Sequence, residues 1–368
     1  MAGESSETVI YFGPQHPGAP GNIAFKLWLR GDVVVRAEVI PGFLHRGFEK
    51  MMENRTWEMN TVMSYRFCVE DPDHLEIAYA MAVEDLMNIS PPENAIWFRM
   101  IQAEMSRIAS HLFWTHFIGG SVGLRIPAYW ATTAREEILK WFAKISGHRV
   151  YHSISVPGGV RVSLPETFVE DTLRVVNYVE DVAGRVEKGM LRNSVFKART
   201  VGLGALDSKT ALELGVTGPV LRATGLSHDL RKVYPYFYYD KVSFEIPVGS
   251  RGDAYDRSVV RFREIRESLK IIRRAVEKIE PDKPMRVKAP LTAPPGESWA
   301  RVESARGEYM IHIISNGGRR PYRVRLKSMS MPLFTTVIDH LIRSEEVTIA
   351  DFPVLLASLD PCAPDLDR

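Results

Sequence analysis

Two cysteines and two aspartates carry the first chemical suggestion in this chain of 368 residues. Cys68-Val69-Glu70-Asp71 and Cys362-Ala363-Pro364-Asp365 repeat one spacing, C-x-x-D, near opposite ends of the sequence. With thiolates at both places of each pair, that spacing would aim four sulfurs at one metal ion. Here a carboxylate holds each second place. Carboxylate oxygen is a hard ligand, so a soft metal that needs bridging thiolates would lose half its donors. A basic residue stands near each motif, Arg66 before the first and Arg368 after the second. Spacing alone leaves a plainer reading open, with the cysteines as small buried hydrophobes and the aspartates as helix caps or arginine partners.

The elements that must position these residues are partly legible. Segments 9–12, 22–30 and 33–40 alternate like strands, and Gly31-Asp32 between the last two predicts a hairpin. Helical spacing follows from 44 to about 52, and a second helix follows Pro72, with apolar residues at three- and four-residue steps. Ser90-Pro91-Pro92-Glu93 predicts a helix start with Ser90 as N-cap and Pro91 in the first turn. Further helices are expected at 127–146, 166–190 and 254–279, the last with Arg and Glu at i,i+4 spacings that read as a solvated face. Strands return over 300–327, and a last helix near 332–343 leads to the tail. The fold class is α+β: a central bundle of long helices with small sheets from both ends. Five segments follow: 1–65 with the hairpin, the helical stretch 66–200, an irregular insertion over 201–253, a long helix over 254–290, and 291–368 with the second C-x-x-D.

Composition excludes several classes of function. Lys plus Arg number 47 against 45 Asp plus Glu, a net charge of +2, which gives no electrostatic case for nucleic acid. Two cysteines build no disulfide framework and do not by themselves hold an iron–sulfur cluster. Segment 1–8 lacks the basic and apolar character of a leader, and no apolar run is long enough for a transmembrane segment. Glutamine occurs only at Gln15 and Gln102 among abundant charges, a bias shown by heat-adapted proteins.

Longer motifs carry a resemblance. Gly13-Pro14-Gln15-His16-Pro17, Gly42-Phe43-Leu44-His45-Arg46-Gly47, Glu53-Asn54-Arg55-Thr56, Pro247-Val248-Gly249-Ser250-Arg251-Gly252-Asp253 and Asp360-Pro361-Cys362 stand in order along nearly the whole chain. The sequence resembles the large subunit of respiratory complex I, the 49 kDa or D-type family, which shares ancestry with the large subunits of membrane-bound nickel–iron hydrogenases. Group 4 hydrogenases hold their metals with C-x-x-C at each end. Asp71 and Asp365 break both half-sites, which implies that the nickel–iron centre is absent and that this chain binds no cofactor of its own. Complex I proper has a quinone-contacting Tyr where Val69 stands and a second His where Pro20 stands. The remaining branch, to which the sequence is most similar, is the hydrogenase-like large subunit of archaeal membrane-bound sulfane sulfur reductase.

That resemblance implies a ferredoxin-dependent complex that reduces polysulfide and translocates ions. It implies a peripheral arm on the cytoplasmic face of the membrane, and a 4Fe–4S cluster in an adjoining small subunit of the complex I B-type. Further implied partners are the C-type and I-type subunits of complex I and membrane ion-translocating subunits, one of them H-type. By residue, Cys68, Asp71, Cys362, Asp365 and His16 are the candidate catalytic set, with thiolates attacking an S–S bond and carboxylates delivering protons. Arg66, Arg323 and Val69 are candidate substrate contacts, and Glu38, Glu49 and Glu84 a candidate proton or coupling route. No metal site is assigned; His148 with His152, and His111 with His116, lack a third ligand. The competing readings are quinone or phenazine reduction, and a non-catalytic scaffold coupling the cluster subunit to the ion pump.

Overall fold

The structure, a computed structural model, describes residues 7–368, so most of the segment judged not to be a leader lies outside the described residues. Strands Thr8–Phe12, Ala24–Arg30, Val33–Ile40 and Val347–Thr348 form an antiparallel sheet in that order. Gly31 and Asp32 make the expected two-residue turn, with Arg30 paired to Val33. Alternation along Ala24–Arg30 turns Phe25, Leu27 and Leu29 into a core shared with the helices Ile338–Ser344 and Phe352–Leu359.

A second and larger core lies among five long helices: Pro72–Met87, Glu93–Ser121, Arg125–Ser146, Phe168–Leu191 and Ala254–Val276. Glu93–Ser121 is buried on nearly all sides, which makes it the axis of the bundle. A three-stranded antiparallel sheet, Ala293–Ser304, Gly307–Gly318 and Arg323–Lys327, joins the same core. Its first hairpin turns through Ala305 and Arg306, since Ser304 pairs with Gly307. Gly307 (φ +132°) lies against Gly218 (φ +69°), and a Cβ on Gly218 would stand 2.5 Å from the Gly307 Cα. Two glycines facing each other let the hairpin tip sink into the protein.

The structure revises several expectations. The helix expected from 44 begins at Phe48, because Gly47 before it is left-handed at φ +62°. The next starts at Glu93 with Pro92, not Ser90, at the N-cap. Pro92 disfavours the helical conformation for Pro91 before it, so the start moves past both prolines. Helices Trp57–Ser64, capped by Thr56 accepting from Met59 N, and Phe352–Leu359 were not expected. The insertion over 201–253 contains three short α-helices, Ser208–Glu213, Gly218–Ala223 and Leu230–Val233, and one 3-10 turn, Tyr239–Lys241. The largest change concerns Ala254–Val276. Arg257, Arg261 and Glu264 are buried, not solvated, because Arg257 and Arg261 donate to backbone carbonyls and Glu264 accepts from Arg222.

Candidate functional site

Cys68 lies in the turn between the Trp57–Ser64 and Pro72–Met87 helices, and Cys362 caps the short helix Ala363–Leu366. Closure of the fold brings them together. The two Sγ atoms are 3.1 Å apart, with Cys362 donating to Cys68, and both residues are buried. The Cys362 backbone N donates to Ser330 Oγ at 2.8 Å, which fixes the chain at that sulfur. The hydrogen bond to Cys68, then burial, pushes the Cys362 thiol well up, so Cys362 keeps its proton.

The motif carboxylates do not face the sulfurs as a second ligand pair. Asp71 Oδ1 accepts from His74 Nδ1 at 2.5 Å and from Ser106 Oγ at 3.1 Å, while Oδ2 accepts from Ala305 N at 2.8 Å. His74 Nε2 faces Arg107 Nη2 at 3.2 Å; the guanidinium only donates, so His74 carries its proton on Nδ1. Burial opposes ionisation of Asp71, but His74, the Ala305 amide and Arg306 outweigh it and hold the carboxyl far below its ordinary range. These donors favour the carboxylate form of Asp71, which weighs against the proton delivery expected of it from the sequence. Asp365 Oδ2 accepts from Ser328 Oγ (2.6 Å) and Ser330 N (3.0 Å), and burial raises its carboxyl. Both motif carboxylates are thus engaged by protein donors rather than by the cysteine sulfurs.

The residues that join the sulfurs were missed in the sequence. Arg306, at the buried hairpin tip, donates to Ser110 Oγ (2.8 Å), Asp360 O (3.0 Å) and Asp360 Oδ1 (3.1 Å), and it is ion-paired with Glu70. Burial works against its charge, but Asp360, Glu70 and both cysteines raise it well above its ordinary value. Burial raises the Glu70 carboxyl, Arg306 opposes this, and nearby Asp360 adds to it. Glu70, inside the first C-x-x-D and two residues from Cys68, is thus a carboxyl whose charged form burial disfavours. Its only sequence signal was its place within that motif. Arg306 gave none, because a charged residue in a turn normally reads as solvated.

The other candidates are dispersed. His16 is exposed on its Gly/Pro loop, its ring tilted by 35° against Phe12 with centroids 3.9 Å apart, and Nδ1 accepts from Gly18 N at 3.1 Å. That loop is nevertheless adjacent to the site: Pro17, Gly18 and Pro20 share a small cavity with Glu70 and Asp360. Arg66 is exposed and lies over the rings of Tyr65 and Tyr151, 5.6 and 5.1 Å from their centres, rather than on Asp71. Val69 is exposed beside Cys68. Arg323 pairs with Glu49 (3.1 Å) and Glu53 (2.7 Å), not Asp365, and Glu49 also holds Arg368 at 3.3 Å. Glu84 is buried in a two-pronged pair with Arg99 at 2.7 and 2.8 Å, while Glu38 is exposed on its strand beside Arg36. Among the described residues, no hydrogen bond or ion pair links Glu38, Glu49 and Glu84 to one another. His152 is bound to Asp73 at 2.9 Å rather than paired with the exposed His148.

A bundle of long helices with small sheets from both ends of the chain is the fold of hydrogenase-like large subunits, and the comparisons agree. The model of the respiratory-chain NADH dehydrogenase 49 Kd subunit family matches residues 121–295 and 285–368, and the chain belongs to this family. It is 43% identical to the D-type subunit of NADH-quinone oxidoreductase from Thermosipho melanesiensis over 98% of this chain and 100% of the relative. It is 36% identical to the D-type subunit of F(420)H(2) dehydrogenase from Methanosarcina mazei over 99% of each chain. Among solved structures it superposes with a TM-score of 0.95 and 37% identity on a chain of the membrane-bound sulfane sulfur reductase, an archaeal respiratory membrane complex, covering 99% of both. The chain is therefore a complex I-like, D-type subunit of a multisubunit respiratory membrane oxidoreductase. No helix among the described residues is long and apolar enough to cross a membrane.

Proposed function

We propose that this chain is the substrate-chamber subunit of a ferredoxin-driven complex that reduces sulfane sulfur or polysulfide and couples the reaction to ion translocation. The observation that carries the reading is the buried Cys68–Cys362 pair, 3.1 Å between sulfurs, with the buried Arg306 guanidinium held on Glu70 and Asp360, each two residues from one of the cysteines. Sulfur nucleophiles beside a fixed cation suit an anionic chain of sulfurs, whose charge the guanidinium offsets. In this reading electrons enter through a 4Fe–4S cluster of the adjoining small subunit, no nickel–iron centre takes part, and the arm faces the cytoplasm. The membrane and small-subunit partners are those of complex I-like assemblies.

A second reading, reduction of a quinone or phenazine, is favoured on the quinone side by the likeness to the D-type subunit of NADH-quinone oxidoreductase. Val69 and Pro20, where complex I proper has quinone-contacting Tyr and His, weigh against it. An assay of the purified complex with polysulfide, a quinone analogue and protons as competing acceptors separates the two. Polysulfide turnover is expected; rapid quinone reduction with no sulfane activity, or stoichiometric nickel in this subunit, overturns the proposal.

A further inference from the structure

The geometry points to Cys68 and Cys362 as a redox couple that cycles between dithiol and disulfide during turnover, with Cys68 as the attacking sulfur and Cys362 as the resolving one. This rests on the sulfur-reducing reading above and adds the chemistry of the site. A disulfide bond is about 2.05 Å long, so the two sulfurs need to close by only about 1 Å from their 3.1 Å separation. Their order is set by the hydrogen bond, because Cys362 donates and Cys68 accepts. Cys68 thus presents a lone pair for the first attack; both cysteines are buried, and Val69, next to Cys68 in the chain, is exposed. The raised Cys362 thiol keeps its proton until the second step.

Cys68, as thiolate, attacks one sulfur of a polysulfide. A substrate S–S bond breaks, an S–S bond to Cys68 forms, and the leaving fragment departs as a protonated, shorter sulfide. Cys362 then loses its proton and attacks Cys68 Sγ. The bond to the substrate sulfur breaks, the Cys68–Cys362 disulfide forms, and the released sulfur takes up the proton as hydrosulfide. In sum, two thiols and a polysulfide give a disulfide, hydrosulfide and a polysulfide shorter by one sulfur. The two electrons that split the substrate bond come from the two cysteine sulfurs. Two electrons from a low-potential iron–sulfur donor, delivered singly, and two protons restore the dithiol. Glu70, two residues from Cys68 and ion-paired with Arg306, has a carboxyl that burial raises and is the proposed source of those protons.

The inference is tested on the purified complex, with polysulfide added in the absence of a donor, followed by rapid alkylation and peptide mass analysis. A Cys68–Cys362 cross-linked peptide is expected within one turnover time, and reduced ferredoxin should remove it. Cys362→Ser should trap a persulfide on Cys68, and Cys68→Ser and Cys362→Ser should each lower polysulfide turnover by roughly 100-fold or more. If the complex reduces polysulfide while both cysteines remain alkylatable thiols, or while both variants turn over like the parent, the redox couple is overturned and the sulfur-reducing reading stands. A cross-link that forms more slowly than turnover also overturns the couple. If the complex reduces only a quinone analogue, both fall together.

Discussion

Arg306, its own side chain fully enclosed, holds the buried Asp360 carboxylate and the half-buried Glu70. Removing one partner of such an arrangement leaves charge without compensation in a poorly solvated place, which costs about 3–5 kcal/mol. Arg306→Met is accordingly expected to lower the denaturant midpoint strongly. Replacing Glu70, Asp360 and Arg306 together by apolar residues should restore most of that loss, and equal losses in the single and triple variants would sink the account. The same groups show where the sequence was legible. Cys68 and Cys362 were singled out by type and spacing, and the structure places their sulfurs in contact. The roles of Asp71 and Asp365 were not legible, because a carboxylate's proton affinity depends on donors distant in sequence, such as Ala305 N for Asp71 and Ser330 N for Asp365.

Two groups of elements hold the site in place. The hairpin Ala293–Ser304 and Gly307–Gly318 carries Arg306 inward only because Gly218 and Gly307 allow backbone to meet backbone. Gly307→Ala meets both a left-handed φ and Thr217, and is expected to destabilise by more than about 1 kcal/mol, read as a fall in melting temperature. The second group links the helices Pro72–Met87 and Glu93–Ser121 to segment 152–155. Gln102 Nε2 donates to Asp73 (2.8 Å) and Glu76 (2.5 Å), His152 pairs with Asp73, and Glu76 accepts from Ile154 N and Ser155 N. Burial, and then the Asp73 charge, push the Glu76 carboxyl from 4.5 up to about 7. The folded chain therefore binds this proton more tightly than the unfolded chain, so Glu76 removes stability as pH rises from 4.5 to about 7. In Glu76→Gln that contribution to the slope should vanish. Thermal unfolding across this window checks it, and parallel curves for parent and variant would refute it.

In the whole molecule, buried charge is organised as a network between the bundle and the insertion. Glu104 accepts from Arg107, Arg231, Tyr239 and Ser268, and Arg222 binds Glu264, Glu303 and the His228 carbonyl. Burial disfavours the charged form of Glu104, yet Arg231 and Arg107 hold it down to about 2. Glu104→Gln should cost about 3–5 kcal/mol, because two buried guanidinium groups lose their anion. Asp181→Ala, which breaks the exposed pair with Arg185, should leave stability unchanged within measurement. Comparable losses in the two variants would show that burial does not govern these charges. The insertion over 201–253 looked irregular in sequence because its order comes from Arg222, Asp229 and Arg231 reaching into this network, not from periodicity.

The sequence by itself determined the strand hairpin at Gly31-Asp32, the long helices with sustained apolar periodicity, and a pair of C-x-x-D motifs in a complex I-like order. These are local properties: turn chemistry, period and spacing along the chain. Tertiary closure decided that sulfurs 294 residues apart touch, that donors favour the carboxylate form of Asp71, and that Arg306 is held on Glu70 and Asp360, each two residues from one of the cysteines. Those outcomes depend on desolvation and on donors supplied by other elements, and neither quantity exists until the hairpin tip and the chain end meet the helical bundle.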